Sequence, residues 1–307
     1  DGRIWAHSKG GRLWGMVGAN WQEVFLRKRR IPIAAMEVDD AGELWAVSMP
    51  AGGASIVLRY DGQHATNLAP GSGLGNRLVH DLLQDREGNM WLASSAGLHR
   101  YDAGHFSRLG RAQGLASNVV TRLLPNADGG LWIGTQRGLS RLDVAGRTVT
   151  YGDADGLSMR PAVALAYGVD GKLWVATPVG LARGDSAGFQ PVTLEDGSAV
   201  QQIRSLAADS RGGMWMARGE SGVLHIDAAG KSSHFTTSNS LANAAAMSVA
   251  TDGDTVWIGT ITGLNRLVDG VMTSYDAEHG VPQVTIHDLL VDSHARLWLA
   301  TDAGLVM

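Results

Sequence analysis

The chain has 307 residues, 44% hydrophobic and 18% charged, with 41 glycines, 8 prolines and no cysteine. That is an ordinary globular composition, long enough to bury a sizeable core, and many glycines with few prolines point to tight turns rather than to a disordered linker. The missing cysteines exclude disulfides, thiolate metal sites and Cys nucleophiles, and a net charge of −4 without long single-sign runs gives no reason to expect nucleic acid or an anionic membrane as partner.

In chain order, the first recognisable phrase is DGRIWAHSKGGRL, at residues 1–13. The glycine-rich GMVGAN at 15–20 has no helix after it to receive a phosphate, and the basic cluster RKRR at 27–30 reads as a solvated strand end. AGELWAVSMPAGG follows, and then the phrase sharpens: EGNMWLASSAGL, DGGLWIGTQRGL, DGKLWVATPVGL, RGGMWMARGESGVL, GDTVWIGTITGL and HARLWLATDAGL. The repeated tryptophans are Trp5, Trp45, Trp91, Trp132, Trp174, Trp215, Trp257 and Trp298, at spacings of 40, 46, 41, 42, 41, 42 and 41 residues. Self-similarity at such a period outranks any local reading.

Each unit reads as four short strands. Around Trp132, VVTRLL is a β-branched, apolar first strand and the Asp-Gly turn leads into LWIGT. A second turn leads to LSRLD, and TVTYG is the fourth strand. No stretch carries a 3.6-residue apolar period over three turns, so helix content is expected to be close to nil. About 42 residues in four antiparallel strands is one blade of a β-propeller, which buries its faces only by packing on neighbouring blades. The repeated Trp is expected to fill the gap between blades.

The fold class is therefore all-β, a propeller formed by residues 1–307 as a single domain. Seven first strands and seven fourth strands can be counted. The preferred closure has seven blades, with WQEVFLRK near the N-terminus lending the outer strand of the last blade and residues 1–18 left as a surplus half-blade. The alternative has eight blades, one inner strand lying upstream of Asp1. No apolar run reaches the length of a membrane-spanning helix, and no signal peptide is visible. A chain opening at DGRIW without Met reads as a mature form or an excised piece.

The pattern D-x-x-G-x-apolar-W-apolar-G/A-T-x-x-G-L, preceded by GL-x-S-N-x-V, resembles the two-component regulator propeller repeat. Residues 114–143, GLASNVVTRLLPNADGGLWIGTQRGLSRLD, are the best copy, and the resemblance covers nearly the whole chain. It weakens at Trp215, where RGES replaces the Thr turn, and in the first two copies. The resemblance implies a periplasmic sensor domain of a membrane-anchored hybrid histidine kinase or diguanylate cyclase, with the signalling output outside this chain and a homodimer in the full-length receptor. Other propeller families fit less well. The Trp-Asp and Gly-His dipeptides of WD repeats are missing, and QDREGNMW places the acid one residue too far out for a sialidase-type Asp box. Streptogramin-lyase propellers have a related blade, but here no acid directly follows a repeat Trp strand.

A ligand is expected on the face shared by the fourth-to-first and second-to-third connections. Just before the first strands stand Asn76, Arg77, Asn118, Arg160, Gln201, Gln202, Asn243 and Gln283. The turns after the Trp strands carry Gln136, Arg137, Arg218, Glu220, Thr262 and Asp302. Amide and guanidinium groups read hydroxyls and carboxylates, although Asn at such positions also caps its own turn. On the first strands themselves, VHDLL and IHDLL place His80-Asp81 and His287-Asp288 at one repeat position, where other units carry Thr121-Arg122 and Arg204-Ser205, and Arg122 and Arg204 join the expected ligand-binding residues. Two His and two carboxylates suit general acid–base chemistry or a divalent metal, yet adjacent strand residues point to opposite faces. The competing reading has these pairs bridging neighbouring strands by hydrogen bonds.

The expected function is thus non-enzymatic ligand sensing, with no cofactor, no metal and a small-molecule or glycan-derived ligand, or a protein, as partner. The alternatives are a lyase or glycan hydrolase using His80, Asp81, His287 and Asp288, and a plain interaction scaffold.

Overall fold

The computed structural model describes residues 5–7, 13–17, 20–24, 33–48, 55–68, 74, 77–292 and 294–307. Arg27–Arg30 and Asn76 lie outside the described residues. Among those described, the only helical residues are four single 3-10 turns, at Arg111–Gln113, Asp153–Asp155, Thr237–Asn239 and Ala277–His279. No helix among them is long and apolar enough to cross a membrane. The chain divides into two compact units, Asp1–Gly152 and Asp153–Met307.

The structure is a seven-bladed, all-β propeller of antiparallel blades. Six blades have four strands in simple sequential order, each pairing with the next. In the Trp132 blade these are Val120–Pro125, Leu131–Thr135, Gly138–Leu142 and Thr148–Tyr151. The seventh, around Trp298, has three: Ile286–Val291, Leu297–Thr301 and Gly304–Val306. A further three-stranded sheet, Trp5–His7, Leu13–Val17 and Asn20–Val24, precedes the blades and has no first strand.

One expectation needs correction. Among the described residues, the stretch around Trp21 lends no outer strand to the Trp298 blade. Asn20–Val24 pairs antiparallel with Leu13–Val17, with Met16 opposite Trp21. Only Gly18 and Ala19 separate the two strands, so the local hairpin closes a far shorter loop than pairing with the opposite end of the chain would. Nor are these residues a surplus piece. Leu13 is buried with Ile33, Leu44, Ala46 and Leu58 of the next sheet, and Trp5 and Val24 pack on that cluster.

Three local devices explain the repeated phrase. First, Trp on the second strand is buried between sheets. Trp91 packs with Ala93 and Leu98 of its own blade and with Val120, Leu123 and Ile133 of the next. Trp45, Trp174 and Trp215 pack across to the following blade in the same way. The opposing residue on the third strand is usually Arg, which spreads its guanidinium over the indole at 5.4–5.7 Å in the Trp91, Trp174 and Trp257 blades.

Second, in five of the blades an Asp in the first turn anchors this stack, in one of two ways. Asp39, Asp85 and Asp292, six residues before their Trp, accept the indole N–H at 2.9, 2.7 and 2.8 Å. In the Trp132 and Trp174 blades that position holds Asn126 or Gly168. There Asp128 and Asp170, four residues before the Trp, pair instead with Arg141 and Arg183.

Third, the Thr or Ser after the Trp closes the next turn. Ser94, Thr135, Thr177, Thr260 and Thr301 each donate to the carbonyl of the glycine three residues on, at 2.7–3.0 Å. The Gly-Leu before a first strand has its own reason. At Gly156 φ is +77° and a Cβ would run into the Phe189 carbonyl, while Leu157 is buried beside it.

Trp91 is 5% exposed and spans two blades, so Trp91→Ala is expected to cost about 3–5 kcal/mol. The midpoint of a urea unfolding transition measures this, and a change below about 1 kcal/mol would deny the indole its cross-blade role.

Candidate functional site

The second-to-third turn and the entry to the first strand meet at one end of each blade. Gln136 N–H donates to Val119 O at 2.9 Å, and Ile261 and Asp302 make the equivalent bonds to Ala245 and Thr285. The residues expected to read a ligand do stand at this end, but with different tasks. Asn118 accepts the Arg111 N–H at 2.8 Å, at the start of the 3-10 turn Arg111–Gln113, and Asn243 accepts the Ala245 N–H at 2.8 Å in its own turn, so both satisfy local backbone. The Arg77 carbonyl accepts the Ser55 hydroxyl. Gln136, Arg137, Arg160 and Gln283 have exposed side chains.

Two groups of expected residues are brought together. The first lies on three successive first strands of the first unit: Ile33–Val38, Val79–Gln84 and Val120–Pro125. Asp81 accepts from Leu82 N–H at 3.0 Å and, across to the next blade, from Leu123 N–H at 2.9 Å. Ser205 makes the same cross-blade contact to Val249 N–H, at 3.4 Å. This is the bridging role that sequence reasoning set against catalysis. Burial pushes the Asp81 carboxyl up, against the opposing pull of the Leu123 N–H and Arg122. Burial, aided by Arg122, holds His80 below the usual imidazole range.

Glu37 joins this group and was missed. Its carboxyl is pushed up to about 7, first by burial and then by the charge of Asp81. A signal existed in the repeat. Glu37 pairs with Trp45, and the residues that pair with the other blade tryptophans are Leu83, Leu124, Ala166, Ala207, Ala250 and Leu290. An acid in an otherwise apolar column is the anomaly.

His287 and Asp288 belong to the second unit and part company there. His287 Nε2 lies 2.7 Å from Asp302 Oδ1 in the turn, while Asp288 accepts Leu289 N–H at 2.9 Å. The Asp288 carboxyl is moved up by the protein around it, although its side chain stays exposed. His287 and Asp288 thus face different partners, whereas His80 and Asp81 both feel Arg122, and in both strands the register shifts at this pair. Among the described residues no three His, Asp or Glu side chains are placed to hold a metal ion.

The second group lies in the Trp215 blade and unites Gln201, Gln202, Arg204 and Arg218. Arg218 Nε donates to the Gln201 carbonyl at 2.9 Å, and Gln202 Oε1 accepts the Ser221 hydroxyl at 2.6 Å. Arg204 packs beneath Gly219, where an added Cβ would meet its Nε at 2.8 Å. The same blade departs from the repeat at its other end. His225 replaces the usual Arg, stacks on Trp215 at 4.1 Å and holds Asp209 at 2.7 Å. Burial pushes the Asp209 carboxyl up, but bonds from Gly213, His225 and Arg211 outweigh it and hold it low. A cavity of about 450 Å³ opens beside this stack.

Blades with this turn chemistry define the class of protein as a repeat-built β-propeller. Residues 73–96 and 114–137 match the family described as two component regulator propeller. No curated protein matches the chain. Among solved structures, virginiamycin B lyase from Staphylococcus aureus is 15% identical over 93% of this chain and 98% of its own, with a TM-score of 0.64. The extracellular domain of a putative one-component system from B. thetaiotaomicron is 17% identical, with a TM-score of 0.63, over 98% of this chain and 44% of that one. PorZ, from the type-IX secretion system of Porphyromonas gingivalis, is 15% identical, with a TM-score of 0.64, over 95% of this chain and 49% of its own. The chain therefore spans about half of the last two proteins, and these likenesses are likenesses of fold.

Because the Glu37 carboxyl titrates near 7, above the ordinary range near 4.5, the folded state holds its proton more tightly than the unfolded state. The stabilisation is full below the ordinary range and is lost as pH rises toward 7. Glu37→Gln is expected to flatten the decline of stability between these limits, by on the order of 2 kcal/mol. Urea unfolding at stepped pH measures it, and parallel curves for the two proteins would overturn the assignment.

Proposed function

We propose that this chain is the extracytoplasmic ligand-binding propeller of a membrane-anchored bacterial signalling protein. The observation that carries the reading is the match of two repeats to the two-component regulator propeller. The likeness in fold to part of the extracellular domain of a putative one-component system, of which this chain covers 44%, supports it. In this reading residues 1–307 act as one domain, in the periplasm, as part of a homodimeric receptor. A histidine kinase or diguanylate cyclase supplies the output. The ligand is a small molecule or a glycan fragment, and it works by binding one arrangement of the receptor better than another.

A second reading rests on one specific observation. Glu37, with a pKa of about 7, stands near Asp81, and His80 with its lowered pKa is on the same strand as Asp81. Such groups are poised for proton transfer at neutral pH, as a lyase would need. One experiment separates the two. The chain is screened by thermal shift against oligosaccharides and organic acids, and each stabilising compound is incubated with it and re-examined by mass spectrometry. A binder recovered intact, which also changes the output of the full-length protein, is the expected result. Conversion of the compound, abolished by Glu37→Gln, would replace sensing with catalysis.

A further inference from the structure

The Trp215 blade breaks the repeat at a turn where five other sheets agree. Ser94, Thr135, Thr177, Thr260 and Thr301 occupy the position that holds Arg218 here. The turn is also one residue longer, with Gly222 four places on rather than three. Its closure has been rebuilt from backbone alone. Arg218 N–H donates to Gly222 O at 2.8 Å. Gly219 and Ala246 exchange bonds at 2.9 and 3.0 Å, and Gly222 N–H reaches Ala244 O at 2.9 Å. The loop is thereby pinned to the entry of the next blade, and the Arg218 side chain is released from any part in closing the turn.

The released side chain is held for something else. Arg218 is half-buried, and burial lowers its guanidinium pKa without a compensating anion. One of its donors goes to the Gln201 carbonyl. Arg204 flanks the same turn from beneath, against Gly219, whose φ is +54°. Neither arginine has a carboxylate partner among the described residues, and Glu220, the acid of this turn, is exposed and pairs with neither. Gln202 sits in the left-handed region at φ +62°, with its carbonyl oxygen occupied by Ser221 and its amide NH2 remaining as a donor. The strained backbone, the unpaired cations and the pinned loop coincide in one place.

We propose that Arg204 and Arg218, framed by Gln201 and Gln202, form the binding site for the oxyanion group of a ligand, a carboxylate or a phosphate. Planar guanidiniums match either group through paired N–H donors, and a partly desolvated Arg gains most from an anion that arrives with the ligand. The inference rests on the ligand-binding reading and names the chemistry of its ligand.

The test uses the purified chain with succinate, its uncharged analogue succinamide and inorganic phosphate as probes, followed by thermal shift and calorimetry. Succinate or phosphate is expected to raise the melting temperature, and succinamide to leave it unchanged. Arg204→Gln and Arg218→Thr are each expected to weaken binding by at least about tenfold. Arg218→Thr restores the residue of the other blades, and an unchanged melting temperature without probe shows that it folds. Tighter binding of succinate assigns the site to carboxylates, and tighter binding of phosphate assigns it to phosphoryl groups. Absence of binding by both anions at about 10 mM, or equal binding by Arg218→Thr, overturns the site. A full-length receptor that ignores an anion bound through both arginines would defeat the sensory reading and leave the site standing. A receptor still responding fully to its ligand with both arginines replaced would do the reverse.

Discussion

Everything in this molecule depends on an indole caught between two sheets. A four-stranded blade exposes two apolar faces and is not a stable object alone. The Trp of the second strand solves this by filling the space toward the next blade, as Trp91 does against Val120, Leu123 and Ile133. The ring is large enough to dominate the area buried at each junction. The Arg laid over it and the Asp in the turn below fix its orientation, so the junction has one geometry rather than many. The turn hydroxyl and the Gly-Leu entry then set the loops at the opposite end.

A scaffold specified by so few positions leaves the others open, and departures from the repeat become informative. Glu37 occupies a column that is apolar in the other blades. His225 replaces an Arg, and Arg218 replaces a Thr. None of the three is needed to make a blade, since its neighbours make theirs without it. Chemistry beyond blade-building is therefore to be sought where the repeat is broken.

Much of this was legible in the sequence, for a physical reason. Period, turn dipeptides and strand alternation are local properties, and they gave the blades, the packing role of Trp and the near absence of helix. The pairing partner of the stretch around Trp21 was not legible, because the repeat period does not distinguish pairing with Leu13–Val17 from pairing with the other end of the chain. The individual amides were legible in place and ambiguous in task. Asn118 and Asn243 turned out to satisfy nearby backbone N–H groups, which no spacing distinguishes from ligand contact. His80 and Asp81 were visible as candidates beside His287 and Asp288, their meeting with Arg122 was not, and Glu37 required comparing columns across repeats rather than reading along one.

The two alternative homes for the turn Asp have an evolutionary reach. A carboxylate six residues before the Trp holds the indole, and one four residues before it holds the Arg that covers the indole. Either arrangement ties down the same stack. A lineage can therefore gain the second before losing the first, and drift from one spelling to the other without passing through an unfolded intermediate. Copies of one blade can then diverge in wording while their shape stands still. Residues 73–96 and 114–137 match the family model, while the architecture around them is repeated from blade to blade.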